Sequence, residues 1–186
     1  GIQMIAKGLD LPLVTLVGVL SADTALRLPD FRAGERTFQL LTQVAGRAGR
    51  SILGGKVVVQ TYAPNHYCIQ AASRHDYEGF YGQEMEFRRQ QRYPPFSHLV
   101  RLVYVHRDGE RCEEDARRMH AVLQNKTARL GLPEIDLIGP APAFLSRIRG
   151  RYRWHLIVRG RDPNALLEGL DFGPGWRVDV DPVSLL

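Results

Sequence analysis

The double proline Pro94-Pro95 ends one kind of hydrophobic pattern and begins another, and this break constrains the fold more than any other feature of the sequence. Proline removes a backbone donor and pushes the preceding residue out of the helical region, so neither a helix nor a central strand runs through the pair. Upstream, Val14-Thr-Leu-Val-Gly-Val-Leu20 is a continuous β-branched run, the signature of a strand buried on both faces of a parallel sheet. A polar stretch from Ser21 to Gly34 leads to Glu35. Phe38, Leu41 and Val44 then recur at helical spacing, with Leu40 widening the stripe, up to the glycine-rich end Gly46-Arg-Ala-Gly-Arg50. Gly54-Gly55 marks a turn before a second strand, Val57-Val-Val-Gln-Thr61. Strand, helix, strand with short connections belongs to an α/β layer. Residues 66 to 92 suit two helical pieces, with Asp76 capping the second.

Downstream the elements are different. His98 to Val105 forms a strand, Glu110 to Leu130 an amphipathic helix, and Ile135 to Ile138 the start of a strand entering Gly139-Pro-Ala-Pro142. Arg151 to Val158, a short helix over Asn164 to Leu170, and a last strand from Trp176 to Val180 complete the order β-α-β-β-α-β. That order is the one of a ferredoxin-like α+β sandwich, with helices on one face of an antiparallel sheet. Two units are expected, 1–92 and 93–186. The length of 186 residues accommodates both, at roughly 100 to 200 residues per larger domain.

Composition narrows the function classes. Apolar and charged fractions of 44% and 24% exclude a disordered chain, a collagen and a membrane-embedded body. No apolar run is long enough to span a bilayer, so the chain is expected to be soluble and cytoplasmic, with no membrane partner. Cys68 and Cys112 stand alone, in neither a disulfide framework nor a zinc knuckle, and no metal ligand set is expected here. Of 25 basic residues only Lys7, Lys56 and Lys126 are lysines, which leaves 22 arginines in a chain of net charge +5. The arginine fork matches phosphate and carboxylate, so an anionic partner is indicated. Because the chain opens at Gly1, without an initiator Met and directly before an organised segment, it is expected to be part of something longer.

The first cluster with chemistry is Gln43-Val-Ala-Gly-Arg47-Ala-Gly-Arg50. Arginines three apart at a helix end share a face, and glycines let a backbone or a phosphate approach closely. Such a pair could clamp a transferring γ-phosphoryl group, or could simply form a solvated basic helix end that complements the dipole. Spacing alone leaves both open.

Whole strings of sequence carry a resemblance. Gln43-Val-Ala-Gly-Arg-Ala-Gly-Arg50 is similar to motif VI of superfamily-two helicases, and Gly1-Ile-Gln-Met-Ile-Ala-Lys-Gly-Leu-Asp-Leu-Pro12 to motif V. With DFRAGERTFQLLTQ, QTYAPNH, YPPF, IGPAPA, GRYRWHL and WRVDVDP following in register, essentially the whole chain resembles the PriA family, primosomal helicases that restart stalled bacterial replication forks. The resemblance implies a partial RecA-like second helicase lobe (motifs V and VI) followed by a C-terminal DNA-binding domain. It implies that Arg47 and Arg50 act as catalytic fingers on a triphosphate, that Gln43, Gly46 and Asp10 bind the nucleotide, and that Lys7 and Gly8 lie near the DNA backbone or the ATP-coupling loop. ATP, Mg2+ and zinc would serve the intact protein, the zinc-binding cysteines lying upstream of Gly1. Partners would be single-stranded and forked DNA, the single-strand-binding protein and other primosome proteins. No GxxxxGK[ST] loop is present, since Gly55-Lys56 is followed by Val57, so this chain alone is not expected to hydrolyse ATP. Position 2 is Ile where the family usually has Thr. That departure favours the alternative, a non-catalytic homologue that binds DNA or partners.

A second basic feature lies further on. From Leu137 to Gly160 there is no acidic residue, while Arg147, Arg149, Arg151, Arg153 and Arg159 alternate with Ile148, Tyr152, Trp154, Leu156 and Val158. Period-two alternation places the arginines on one strand face, a track for nucleic acid, for an acidic protein tail or for solvent alone. Arg149-Gly150 suits a hairpin tip. Tyr152 and Trp154 could stack on bases, but they share parity with Leu156 and Val158, which favours core packing. Asp179 and Asp181 could partly neutralise the basic face.

Overall fold

A computed structural model describes residues 15–48 and 55–186, and the side chains within those ranges except at 47 and 48. Two units follow one another, one ending at Phe87 and the other comprising Arg88–Leu186.

In the first unit, β1 (Leu16–Val19) and β2 (Lys56–Val59) pair in parallel, Val17 opposite Val57 and Val19 opposite Val59. Between them come α1 (Asp23–Leu26), within the polar stretch from Ser21 to Gly34, and α2 (Ala33–Ala48). Helix α2 continues through Gly46 and Arg47 instead of ending at the glycines. Two further helices follow, α3 (Tyr67–Arg74) and α4 (Tyr77–Gln90), the latter started by Asp76, whose Oδ1 accepts the Gly79 amide at 2.8 Å. The core joins Phe38 and Leu41 of α2, Cys68, Ile69, Ala71 and Ala72 of α3, and Phe80 of α4, with Val19 and Val59 packed against it. The Phe38 and Phe80 rings stack with centroids 4.2 Å apart. The expectation of strands buried on both faces is not met. Val19 and Val59 point toward the helices, whereas Leu16 and Val58 on the opposite face are 62% and 50% exposed. Among the described residues helices cover one side of this pair only, which is why its β-branched run is half wet.

The second unit has the order β3 (His98–His106), α5 (Gly109–Leu130), β4 (Asp136–Ile148), β5 (Arg151–Gly160), α6 (Pro163–Leu167) and β6 (Trp176–Val180). Its sheet runs β4-β5-β3-β6, every neighbouring pair antiparallel. Helix α5 starts at Asp108, whose side chain accepts the Arg111 amide at 3.2 Å, and stops at left-handed Gly131. Asp162 caps α6 in the same way, with Pro163 in its first turn. Leu123 and Leu166, one from each helix, meet Val100, Leu102, Leu156 and Val158 in one core, so both helices cover the same sheet face.

One boundary differs from the sequence expectation, and one that it left open is now defined. Helix α6 stops at Leu167, three residues early, because Gly169 takes a positive φ of 70°. Strand β4 continues for 13 residues, well past Ile138, despite Pro140 and Pro142. It lies at the sheet edge, where a strand spares the amides that proline lacks.

Candidate nucleic-acid interface

The end of the β4–β5 hairpin is built by two residues. Arg149 and Gly150 both have positive φ, 50° and 75°, the geometry of a type I′ turn whose twist matches its strands. Ile148 pairs with Arg151 and Arg147 with Tyr152. Cross-strand partners project to the same side, and this reverses part of the expected alternation. Within β5 the odd positions do share a face: Arg151, Arg153 and Arg159 lie on one side, Tyr152, Leu156 and Val158 on the other. Across the turn the parity inverts, so Arg147 shares the face of Tyr152, its guanidinium 5.0 Å from the ring centroid, and Ile148 joins Arg151. The arginines therefore surround the hairpin rather than lining one of its faces. Arg147, Arg149 and Arg151 are exposed, and among the described residues none of them pairs with a carboxylate.

Tyr152 is held by packing. Its ring lies 3.4 Å from where a Cβ on Gly109 would stand, against the first turn of α5. Trp154 is half-buried on the same side, opposite Tyr104. Both rings lie half-buried on the sheet face that the helices cover.

The sheet face away from the helices gathers charges that are distant in sequence. Arg101 on β3, Arg153 and His155 on β5 and Arg177 on β6 influence one another there. Burial, followed by the charges of Arg101 and Arg177, lowers the affinity of Arg153 for its proton. Burial, then Arg101 and Arg153, likewise holds His155 below the ordinary histidine range. Asp179 answers one of these cations, Oδ2 accepting from Arg101 Nη2 at 2.9 Å, while Arg101 Nη1 donates to the Leu186 carbonyl and Nε is buried without a partner among the described residues. Asp181 is used differently, within 3.1 Å of His98 Nδ1. Period-two reading of one strand could not reveal Arg101 and Arg177, because cross-strand register alone brings them to this face.

Arg159 leaves the expected track. Its Nη2 and Nε donate to Asp136 Oδ2 at 2.8 and 3.0 Å, and its guanidinium covers the Tyr93 ring at 5.5 Å. Arg92 also pairs with Asp136. Arg159 thus fastens the edge strand to the chain that enters the unit.

In the first unit, Gln43 and Gly46 are exposed one turn apart on α2, and nothing described lies within 4 Å of where a Gly46 Cβ would stand. Lys7, Gly8, Asp10 and Arg50 lie outside the described residues, as does the side chain of Arg47. The DFRAGER segment is mostly structural: buried Asp30 accepts the Arg32 amide at 2.8 Å and Arg36 Nη1 at 3.1 Å, while Arg32 grips Glu35 with two bonds of 3.0 and 2.7 Å. Asp23 accepts the Tyr62 amide at 3.0 Å and ties α1 to the chain beyond β2. Cys68 is wholly buried and its thiol is pushed up to about 12, chiefly by desolvation, so it is no nucleophile. No group of three metal-ligating side chains occurs among the described residues, and none of their helices is long and apolar enough to cross a membrane.

Residues 89–183, the second unit almost entire, match the family described as primosomal protein N C-terminal domain. The chain belongs to the PriA family. The replication restart protein PriA of Bacillus subtilis is 47% identical over 166 residues, covering 89% of this chain and 20% of that protein. PriA of Synechocystis is 46% identical over 160 residues, and PriA of Treponema pallidum 39% over 195, the latter covering all of this chain and 29% of its own length. The chain thus spans well under a third of the PriA proteins it matches.

Proposed function

We propose that the chain is the C-terminal part of an ATP-dependent 3′-to-5′ DNA helicase that recognises stalled forks and initiates primosome assembly in replication restart. Residues 1–92 would be the end of a RecA-like second helicase lobe, and residues 93–186 a ferredoxin-like DNA-binding domain. The parallel β1/β2 pair with helices on one side supports the first assignment, and the β-α-β-β-α-β order with sheet order β4-β5-β3-β6 supports the second. Identity to proteins named replication restart protein PriA supports the role.

The observation that carries the DNA-binding half is the hairpin: Arg147, Arg149 and Arg151 exposed around a type I′ tip, with no acidic residue from Leu137 to Gly160. Arginines without carboxylate partners are free to exchange water and counterions for phosphate. Arg153, two residues into β5 from Arg151, extends the set. Lys7 and Gly8 would touch the DNA from the first unit. The same cations suit the acidic tail of the single-strand-binding protein and other primosome partners.

In the ATPase half, Arg47 and Arg50 would neutralise charge on the transferring phosphoryl group, with Gln43, Gly46 and Asp10 toward the nucleotide. The exposed side chain of Gln43 and open backbone at Gly46 fit a nucleotide's approach. ATP and Mg2+ would be held by a phosphate loop elsewhere in the intact protein, and zinc finds no ligand set among the described residues. Two measurements test the proposal. Labelled single-stranded and forked oligonucleotides should bind this chain with an affinity that falls steeply with salt, and absence of binding at low salt overturns the DNA-binding half. In the full-length protein, Arg50→Ala should lower DNA-stimulated ATP turnover by about 10³-fold or more, and undiminished turnover removes Arg50 from the reaction.

A further inference from the structure

Strand β4 is not regular where it enters the hairpin. Pairing steps from Pro142 opposite Trp154 to Arg147 opposite Tyr152, so residues 143 to 146 of β4 face the single residue Arg153. A bulge of this kind re-aims side chains that a regular ladder would direct into a face. Ala143, 6% exposed, anchors the bulge, and Arg153 Nη1 donates to the Leu145 carbonyl at 3.4 Å across it. Phe144 and Leu145 are thereby left 52% and 55% exposed. Phe144 makes no ring contact among the described residues, whereas Tyr152 and Trp176 are each engaged by a neighbouring side chain.

The surroundings of this ring decide what suits it. Arg147, Arg149, Arg151 and Arg153 belong to the same hairpin, and the nearest acidic residues in sequence are Asp136, at the far end of β4 and paired with Arg92 and Arg159, and Asp162, beyond β5. An apolar protein surface would gain nothing from so many uncompensated cations. A single strand of nucleic acid presents phosphates together with apolar π-faces, and combines both features.

We propose that Phe144, held out on the β4 bulge, stacks on an unpaired base of a single strand whose phosphates the hairpin arginines hold. The proposal rests on the DNA-binding reading of the hairpin and deepens it: the arginines would sense charge common to all DNA, and Phe144 would sense that a base is unpaired. A duplex hides its base faces, so the ring adds affinity only for a single strand or the opened part of a fork.

The test uses the 186-residue chain and four probes: labelled oligothymidylate, an abasic strand of equal length and charge, a strand with 2-aminopurine, and a blunt duplex. Phe144→Ala should weaken oligothymidylate binding about tenfold, while affinity for the abasic strand and the duplex stays unchanged. The salt dependence should be kept, since no phosphate contact is removed. Phe144→Trp should restore binding, and native chain but not Phe144→Ala should quench 2-aminopurine. Equal binding of oligothymidylate by Phe144→Ala and native chain overturns the proposal, as does an equal loss on the abasic strand. A variant with Arg147, Arg149 and Arg151 all changed to Ala separates the two levels. If it binds like the native chain, the DNA-binding reading itself fails; if it binds weakly and Phe144→Ala binds normally, only the stacking role fails.

Discussion

Charged residues are used in opposite ways by the first unit and by the β4–β5 hairpin end of the second. In the first, Asp23 and Asp30 are buried and bonded to backbone amides, Arg32 is gripped by Glu35, and Glu84, 4% exposed, accepts the Tyr67 hydroxyl at 2.7 Å. In the second, Arg147, Arg149 and Arg151 surround a hairpin end with no carboxylate among the described residues to meet them, and Arg153 and Arg177 crowd Arg101 and His155 across a sheet face. A buried, satisfied charge specifies the local fold, whereas an exposed, unsatisfied one keeps its interaction free energy for a partner. The comparison separates arginines that build the molecule, Arg32, Arg36 and Arg159, from those that the described residues leave without a carboxylate and that we propose to bind.

The sharpest contrast in stability is between covered and uncovered apolar groups. Leu102, wholly buried between helices and sheet in the second unit, should cost about 2–5 kcal/mol on Leu102→Ala. Leu16→Ala on the open face of β1 should change stability by less than about 0.5 kcal/mol. Urea unfolding followed by circular dichroism distinguishes them, and a large loss at Leu16 would show that its face is covered in solution. Next in size is the charge lock of the first unit. Asp30→Ala removes the acceptor of the Arg32 amide and of Arg36, and should destabilise by about 1–3 kcal/mol, whereas Arg149→Ala should leave the unfolding midpoint where it is. If the two variants unfold alike, the division between building and binding charges is lost.

The smallest effect concerns His155. Its folded proton affinity lies below the unfolded value near 6.5, so the native state binds fewer protons than the unfolded chain as pH falls through that value. Stability contributed by neutral His155 is complete above about pH 7 and declines as the pH is lowered past 6.5 toward the folded value. His155→Gln should therefore flatten part of the fall in melting temperature between about pH 7 and 5. An unaltered pH profile would place the titration elsewhere.

What was legible in the sequence was mostly local. Asp76 before Tyr77, the amphipathic run ending at Leu130, and the Trp176–Val180 alternation each state their own structure within a few residues, and Arg149-Gly150 does the same for the turn. The errors arise where neighbours in space decide. How far β4 runs past Pro140 and Pro142 is decided by its place at the sheet edge, where a strand tolerates them. Alternation past the turn places Arg147 with Arg151, but a two-residue turn exchanges odd for even across the pair. The bulge that frees Phe144 has no local signal, because residues 143 to 146 look like continued strand. The assembly of Arg101, Arg153, His155 and Arg177 is a product of register between three strands, and Arg159 is turned inward by Asp136, 23 positions away. The motif VI reading rests on resemblance alone, and the structure contributes the exposure of Gln43 and Gly46 on α2.

The claim at the centre of this account is that the hairpin arginines hold phosphates. It is tested most directly by the slope of log affinity for single-stranded DNA against log salt, measured for the native chain and for the variant with Arg147, Arg149 and Arg151 replaced by Ala. Each phosphate neutralised on a single strand contributes about 0.7 to the slope, so the variant should lose about 2 units of slope, together with most of its low-salt affinity. A variant whose slope and affinity match those of the native chain would contradict the claim and return these arginines to solvent.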